Sequence, residues 1–172
     1  MSWRDRLRLA LAPALAAATL AGCNVAPLYG PLAADPALQG RLQEIEVAPI
    51  SERLGHYVRN ELIFGLNGTG AEVAPRYRLT VTLKEQARTP IIDTVTGRAT
   101  SATVVVEAAY KLVSLPDEKE VAQGVTSSIA SYDRFSNRLA NVRAARDAET
   151  RDAKTIADAI RTRISSALVG GT

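Results

Sequence analysis

The sequence predicts an α+β domain in which two helices pack on one face of a four-stranded, mostly antiparallel sheet, in the order β-α-β-β-β-α. Three patterns predict this fold. Residues 76–88, "RYRLTVTLKEQAR", alternate between polar and apolar side chains, as a half-buried strand does. Apolar residues recur every four positions from Leu54 to Leu66, and a longer stripe with helical spacing runs from Val142 to Leu168.

A strand and a helix are predicted to open the domain. The strand lies within residues 41–50, "RLQEIEVAPI", where Ile45 and Val47 share one face. Ser51 can cap the helix that follows, which is predicted to end at Asn67 and the glycine after it.

The middle of the chain is predicted to be an antiparallel meander. Residues 76–88 form its first strand, and the turn "DTVTGR" at 93–98 leads to a long β-branched strand at 99–115. A hairpin loop at 116–118 then leads to the last strand at 120–132. Strands joined by such short connections pair antiparallel with their neighbours.

The last helix is predicted over residues 141–168, before a pair of glycines. Asp147, Glu149 and Asp152 are interleaved with basic residues, so these acids are expected on a solvated helix face. Asp147 and Arg151, one turn apart, are expected to pair. The buried stripe of the helix is expected to consist of Val142, Ala145, Ala153, Ile156, Ile160, Ile164 and Leu168.

The N-terminus has the features of a bacterial lipoprotein signal peptide at residues 1–22, with a basic head and an apolar run. Residues 20–23, "LAGC", resemble the lipobox, so the thiol of Cys23 is predicted to be acylated and to become the new N-terminus. Cys23 is the only cysteine and cannot form a disulfide within its own chain. Asn24 is not the aspartate that favours inner-membrane retention in sorted lipoproteins, which points to the outer membrane.

The remaining chain divides into two parts. Residues 23–40 contain three prolines among small residues and are predicted to be a lipidated N-terminus and extended tether. Residues 41–172 are enough for one domain. Because no apolar run beyond the signal peptide approaches the roughly 20 residues of a spanning helix, membrane attachment is expected to rest on acyl chains.

Charge and composition argue against a nucleic-acid partner. The chain carries a formal charge of +3, but residues 1–22 hold three arginines and one aspartate, so the rest is close to neutral. Aromatic residues make up only 5% of the chain, too few for a base-stacking surface.

Catalytic groups are scarce, so the protein is not expected to be an enzyme or to hold a metal or cofactor. His56 is the only histidine, and a metal site there would need carboxylates for every other ligand. No nucleophile-elbow, Ser-x-x-Lys or phosphate-loop motif is present in the sequence.

Three stretches together resemble the LptE family of LPS-assembly lipoproteins: "CNVAPLYG" at 23–30, "LGHYVRNELIFGLN" at 54–67, and "YDRFSNRLANVRAARDAETRDAKTIADAIRTRI" at 132–164. The resemblance implies a non-catalytic, periplasm-facing outer-membrane lipoprotein that plugs the large β-barrel translocon LptD and supports its assembly. It also implies binding of lipopolysaccharide during transport to the cell surface.

Candidate contact residues follow from position and charge. Lipopolysaccharide carries phosphates, which arginine and lysine bind. The turn after the second strand offers Ile91 and Ile92 as an apolar pair for contact with the barrel or with acyl chains. The candidates for phosphate binding are Arg78, Lys84, Arg88, Arg98 and Arg146.

Two other functions remain open on the sequence alone. One is a pilot lipoprotein for a different outer-membrane channel, such as a secretin, with no lipid ligand. The other is a lipid-anchored envelope enzyme that uses carboxylates, for which Glu107 in the long strand is the first candidate.

Overall fold

The computed structural model describes residues 36–68, 73–88 and 100–170, all of which belong to one compact unit. The predicted lipidation site Cys23 and the candidates Ile91, Ile92 and Arg98 lie outside the described residues. The elements in chain order are α1 (Pro36–Gln43), β1 (Ile45–Val47), α2 (Glu52–Leu66), β2 (Tyr77–Arg88), β3 (Ser101–Ser114), β4 (Glu120–Asp133) and α3 (Arg138–Gly170).

The predicted α+β class is confirmed, with the four strands in the spatial order β1-β2-β3-β4. β2, β3 and β4 form the antiparallel meander. β1 pairs parallel with β2, so the sheet is mixed. Parallel pairing follows from the connection, because α2 carries the chain back to the end of the sheet at which β1 begins.

Helix α1 was not predicted, since its residues fall in the expected tether and at the start of the expected first strand. Pro36 is its first residue, a position at which a helix tolerates proline because the missing N–H has no helical partner there. Leu42 is buried, and Arg41 Nη1 donates to the carbonyl oxygen of Leu168 at 2.9 Å. These tertiary contacts hold α1 against the end of α3.

The core lies between one face of the sheet and the helices. Val58 and Leu62 of α2 and Ile156, Ile160 and Ile164 of α3 are at most 1% exposed. The sheet contributes Leu79, Val106, Ala108 and Leu112, all fully buried. Burial of these aliphatic side chains is the main source of stability, since the described residues include no disulfide.

The predicted stripe of α3 is wrong at its first member. Val142 is 41% exposed, and the fully covered stripe begins only at Ala148. The first turns of α3 extend beyond the edge of the core, so helical spacing alone does not bury Val142. Asp147 and Arg151 form the predicted ion pair at 2.9 Å.

Candidate functional site

The sheet face opposite the helices presents polar and charged side chains. Even-numbered residues of β2 point to this face because side chains alternate along a strand, and Arg78, Thr80, Thr82 and Lys84 are all exposed. Among the described residues no helix covers it. This uncovered face therefore contains most of the basic candidates predicted from the sequence.

Two of these candidates form ion pairs with neighbouring strands. Arg78 Nε lies 3.2 Å from Glu46 Oε2, and Lys84 Nζ lies 3.8 Å from Glu107 Oε1. All four side chains are about half exposed or more, so each pair is exchangeable with solvent and adds little stability. Glu107, the candidate acid of the enzyme hypothesis, thus lies on the solvent face beside a lysine.

The structure separates the predicted phosphate ligands rather than gathering them. Arg88 lies at one end of the sheet, in register with Thr103 and through it with Ser131. Arg78 lies at the other end, where it lines a cleft of about 350 Å³ together with Lys111. Lys84 lies between the two ends, so no single ligand head group contacts all the described candidates.

The segment that contains the predicted candidate Arg146 lies at the same end of the sheet as Arg88. Between residues 134 and 146 the chain has four arginines and no carboxylate, and all four are exposed. None of the four forms an ion pair with a described residue. We call residues 134–146 the arginine segment; its signal in the sequence is the uninterrupted run of positive charge.

Hydrogen bonds order the backbone of the arginine segment. Asn137 Oδ1 accepts from the N–H of Leu139 at 2.9 Å and of Ala140 at 3.3 Å, which caps α3. Asn141 accepts from the N–H of Phe135 and donates to its carbonyl oxygen, both at 2.7 Å. The turn that presents the arginines is therefore fixed by side chains of the segment itself.

Apolar side chains accompany this positive charge. Phe135 is 60% exposed, Leu139 58% and Val142 41%. A surface that combines guanidinium groups with exposed apolar side chains matches an amphiphile with anionic head groups.

The predicted solvated face of Asp147, Glu149 and Asp152 is wrong for the last two, which are 5% and 1% exposed. Glu149 accepts two hydrogen bonds from the guanidinium of Arg53, from Nε at 2.9 Å and from Nη2 at 2.5 Å. This bond raises the pKa of Arg53. Burial, followed by the charge of Glu149, raises the pKa of nearby Glu85.

Asp152 forms a second buried contact. Its Oδ1 accepts from Ser128 Oγ at 2.5 Å, whereas its Oδ2 has no hydrogen-bond partner. Burial raises the pKa of the Asp152 carboxyl, although the Ser128 hydrogen bond and the charge of Arg151 partly oppose this effect. These acids attach α3 to α2 and β4.

No group of three or more potential metal ligands lies together within the part of the chain that the structure describes. His56 is exposed on α2. None of the described helices has the length and hydropathy needed to cross a membrane.

Comparison with solved structures shows the same fold in bacterial lipoproteins. A candidate lipoprotein from Caulobacter crescentus CB15 matches with a TM-score of 0.67 and 23% identity, over 78% of this chain and 98% of that one. Rare lipoprotein B from Shewanella oneidensis matches with a TM-score of 0.55 and 16% identity, over 73% and 96%. A minor lipoprotein from Acinetobacter baumannii matches with a TM-score of 0.52 and 9% identity, over 72% and 92%.

A search of curated protein sequences found no match. The model of the LptE lipopolysaccharide-assembly family, in contrast, matches residues 42–164, which include nearly all of the described fold. The predicted family is therefore confirmed, and the chain belongs to the LptE family of lipopolysaccharide-assembly lipoproteins, which is non-enzymatic and associated with the outer membrane.

Proposed function

We propose that this protein is a non-catalytic plug and assembly partner of an LptD-like β-barrel and that it binds lipopolysaccharide. In this proposal, acyl chains on Cys23 anchor the protein in the outer membrane. The domain enters the polar lumen of the barrel from the periplasmic side.

The arginine segment is the feature that supports binding of lipopolysaccharide. Its guanidinium groups are exposed, and the capped start of α3 fixes the backbone from which they extend before a ligand arrives. Arg88 lies at the same end and extends the positive surface. Arginine binds phosphate bidentately, which suits the phosphorylated head of the lipid.

The uncovered sheet face is the feature that supports contact with the barrel. Val125 is 55% exposed and Ile129 69% exposed on this face, and both lie on β4 near the charged pairs of β2 and β3. A mixed surface of this kind, with apolar side chains among paired charges, is typical of protein contact areas.

Lipopolysaccharide that stays with the purified, full-length lipidated protein tests the ligand proposal. In the double variant Arg143→Gln and Arg146→Gln, bound lipopolysaccharide should fall by about tenfold, since two phosphate contacts are lost. The matched control, Arg78→Gln with Lys111→Gln, removes the same charge from the opposite end and should retain the lipid. Equal loss in both would assign binding to net charge and contradict a site at the arginine segment.

Co-purification from native outer membranes tests the partner. We expect a stoichiometric LptD-like barrel. A secretin in its place would support the pilot function, and a preparation without any partner would contradict the proposal that the protein plugs a barrel.

Ile91 and Ile92 remain predicted contacts with the barrel or with acyl chains. Changing both to Ser should lower the yield of the complex, and an unchanged yield would exclude them as contacts.

A further inference from the structure

The two long edges of the sheet are treated differently by the rest of the molecule. At β4, the helix α3 covers the edge: Arg163 Nη1 donates to the carbonyl oxygen of Val125 at 2.6 Å, and Arg151 Nη2 donates to that of Ser131 at 3.1 Å. Free backbone groups at a sheet edge are a template for another strand, and these arginines occupy two of the carbonyl oxygens at the edge of β4.

At the other edge, β1 covers only the beginning of β2. The pairing runs from Tyr77 to Leu79, and the last bond of the series joins Ala48 N–H to the carbonyl oxygen of Leu79 at 2.9 Å. From Val81 to Arg88, no described residue pairs with the backbone groups that face the position of β1. β2 therefore continues for eight residues, about 26 Å, with one side open among the described residues.

The chain leaves this position by a sharp turn. Glu52 has φ = 70°, a left-handed conformation that costs a non-glycine residue free energy. Gly55 then allows α2 to fold back, because a Cβ at this position would lie 2.8 Å from Ile50 Cγ2 and 2.9 Å from the Ile50 carbonyl oxygen. This turn keeps the chain away from the strand position beside residues 81–88.

Side-chain exposure agrees with an open edge. Glu85 and Ala87 point to the helix side of the sheet, yet both are exposed. Their cross-strand neighbours Val106 and Val104 are 0% and 4% exposed. β2 is thus accessible along its free side although the strand next to it is buried.

The direction of the free groups follows from the ladder. Tyr77 and Leu79 point their backbone groups towards β1, and backbone groups alternate in direction along a strand. The outward N–H groups beyond β1 are therefore those of Val81, Leu83, Glu85 and Ala87.

The charged side chains at the open edge of β2 determine which kind of strand can pair with it. Lys84 and Arg88 stand on the uncovered face at this edge, where cross-strand neighbours come within about 5 Å. The pair of Lys84 with Glu107 is exposed and exchangeable, so it leaves the Lys84 ammonium accessible to a partner carboxylate. Two copies of β2 paired about a two-fold axis would place Glu85 against Glu85, Lys84 against Lys84, or Lys84 against Arg88 in three of the four central registers. The fourth register, centred on Leu83, would place Lys84 against Thr82. Like charges directly opposite each other disfavour the dimer in the first three of these registers.

We propose that the open edge of β2, from Val81 to Arg88, binds an extended segment of another protein as an added strand, and that this segment carries carboxylates at alternate positions. Backbone hydrogen bonds would supply affinity, and the carboxylates opposite Lys84 and Arg88 would supply specificity.

Hydrogen exchange at single amides tests the proposal on the full-length protein. The probe is a synthetic nonapeptide of alternating valine and aspartate, and the control peptide replaces aspartate with lysine. The acidic peptide should slow exchange at Leu83, Glu85 and Ala87 by about tenfold or more. The amides of Lys84 and Gln86, which face β3, should change little, and the basic peptide should have no effect.

Proline variants distinguish the outward N–H groups of β2 from the N–H groups that bond to β3. Ala87→Pro removes an outward N–H at an exposed position, so the protein should fold with an unchanged Tm but lose peptide binding. Ala87→Val keeps this N–H and should still bind. Gln86→Pro removes a donor to β3 and should lower Tm, which confirms the direction of the ladder.

The alternatives give distinct results. Protection of Leu83, Glu85 and Ala87 without peptide in dilute protein would mean that another part of this chain fills the edge. Protection that grows with protein concentration would mean that a second copy fills it. Either result, or the absence of protection with the acidic peptide, overturns the proposal; equal binding of both peptides overturns its charge preference.

Discussion

Arg53 and Glu149 are 96 residues apart in the chain and are joined by two hydrogen bonds. The pair is asymmetric: the side chain of Glu149 is 6% exposed, whereas that of Arg53 is 56% exposed. The guanidinium thus remains largely hydrated while it compensates a buried carboxylate. It attaches the start of α2 to the middle of α3.

The loss of Arg53 should therefore destabilise the fold more than a surface ion pair would. In Arg53→Met, Glu149 keeps its burial but loses its partner, so the free energy of unfolding should fall by about 2 kcal/mol. Urea unfolding at neutral pH measures this. Asp147→Ala breaks the exposed pair with Arg151 on the same helix and should cost about 0.5 kcal/mol or less. Equal costs would contradict the asymmetry.

The pH dependence of stability should report the buried carboxyl of Asp152. Burial raises its pKa above the usual 3.8, so the folded state holds the proton more tightly than the unfolded state. The contribution of Asp152 to stability is then greatest at low pH and falls as pH rises from the unfolded pKa through the raised folded pKa.

Asp152→Asn removes this titration and retains an oxygen that can accept from Ser128. The free energy of unfolding of the variant, relative to the original protein, should rise as the pH increases above about 4. Urea unfolding over this range measures the difference. A relative stability of Asp152→Asn that falls with pH would contradict a raised pKa.

Local patterns in the sequence predicted the sheet well and the buried acids badly. The alternation in β2 was informative because one face of this strand packs on apolar helices and the other meets solvent. Glu149 and Asp152 look like surface residues in sequence because their arginine neighbours are equally polar. Their partners, Arg53 and Ser128, lie 96 and 24 residues away, so no window of helical length contains them.

Helix α1 and the arginine segment show a related limit. Prolines suggested an extended tether, but Pro36 occupies the one helical turn that accepts proline, and only contacts with α3 reveal the helix. Position and charge in the sequence predict Arg146 alone from this segment, although the same end of the molecule also presents three more arginines. The sequence shows the run of positive charge between residues 134 and 146. It does not show at which end of the sheet this run lies, because that depends on how the strands pair.

Gly55 and Gly65 lie on the same helix and should respond in opposite directions to alanine. A Cβ at Gly55 would meet the backbone of Ile50, which cannot move without disturbing the strained turn at Glu52, so Gly55→Ala should lower the free energy of unfolding by about 1–3 kcal/mol. A Cβ at Gly65 has only Arg161 Cδ at 3.4 Å nearby. Gly65→Ala should raise stability by about 0.5 kcal/mol.

Chemical denaturation of the two glycine variants measures the change in the free energy of unfolding for each, which is expected to be negative for Gly55→Ala and positive for Gly65→Ala. Since helix propensity favours alanine equally at the two positions, their difference isolates the contact with Ile50. A stabilised Gly55→Ala protein would show that α2 can shift away from Ile50, and that the close contact between Gly55 and Ile50 does not keep the chain away from the open edge of β2.

The exposed apolar residues of the uncovered face should matter for the partner and little for the fold. Ile129 is 69% exposed, so Ile129→Ser should change the free energy of unfolding by about 0.5 kcal/mol or less. If this face contacts the barrel, the same change buries a hydroxyl in place of an apolar side chain, and co-purification of the barrel should fall severalfold. Val169→Ser is the control, since Val169 is 58% exposed at the end of α3. Equal barrel yields from the two variants would place the contact elsewhere on the molecule.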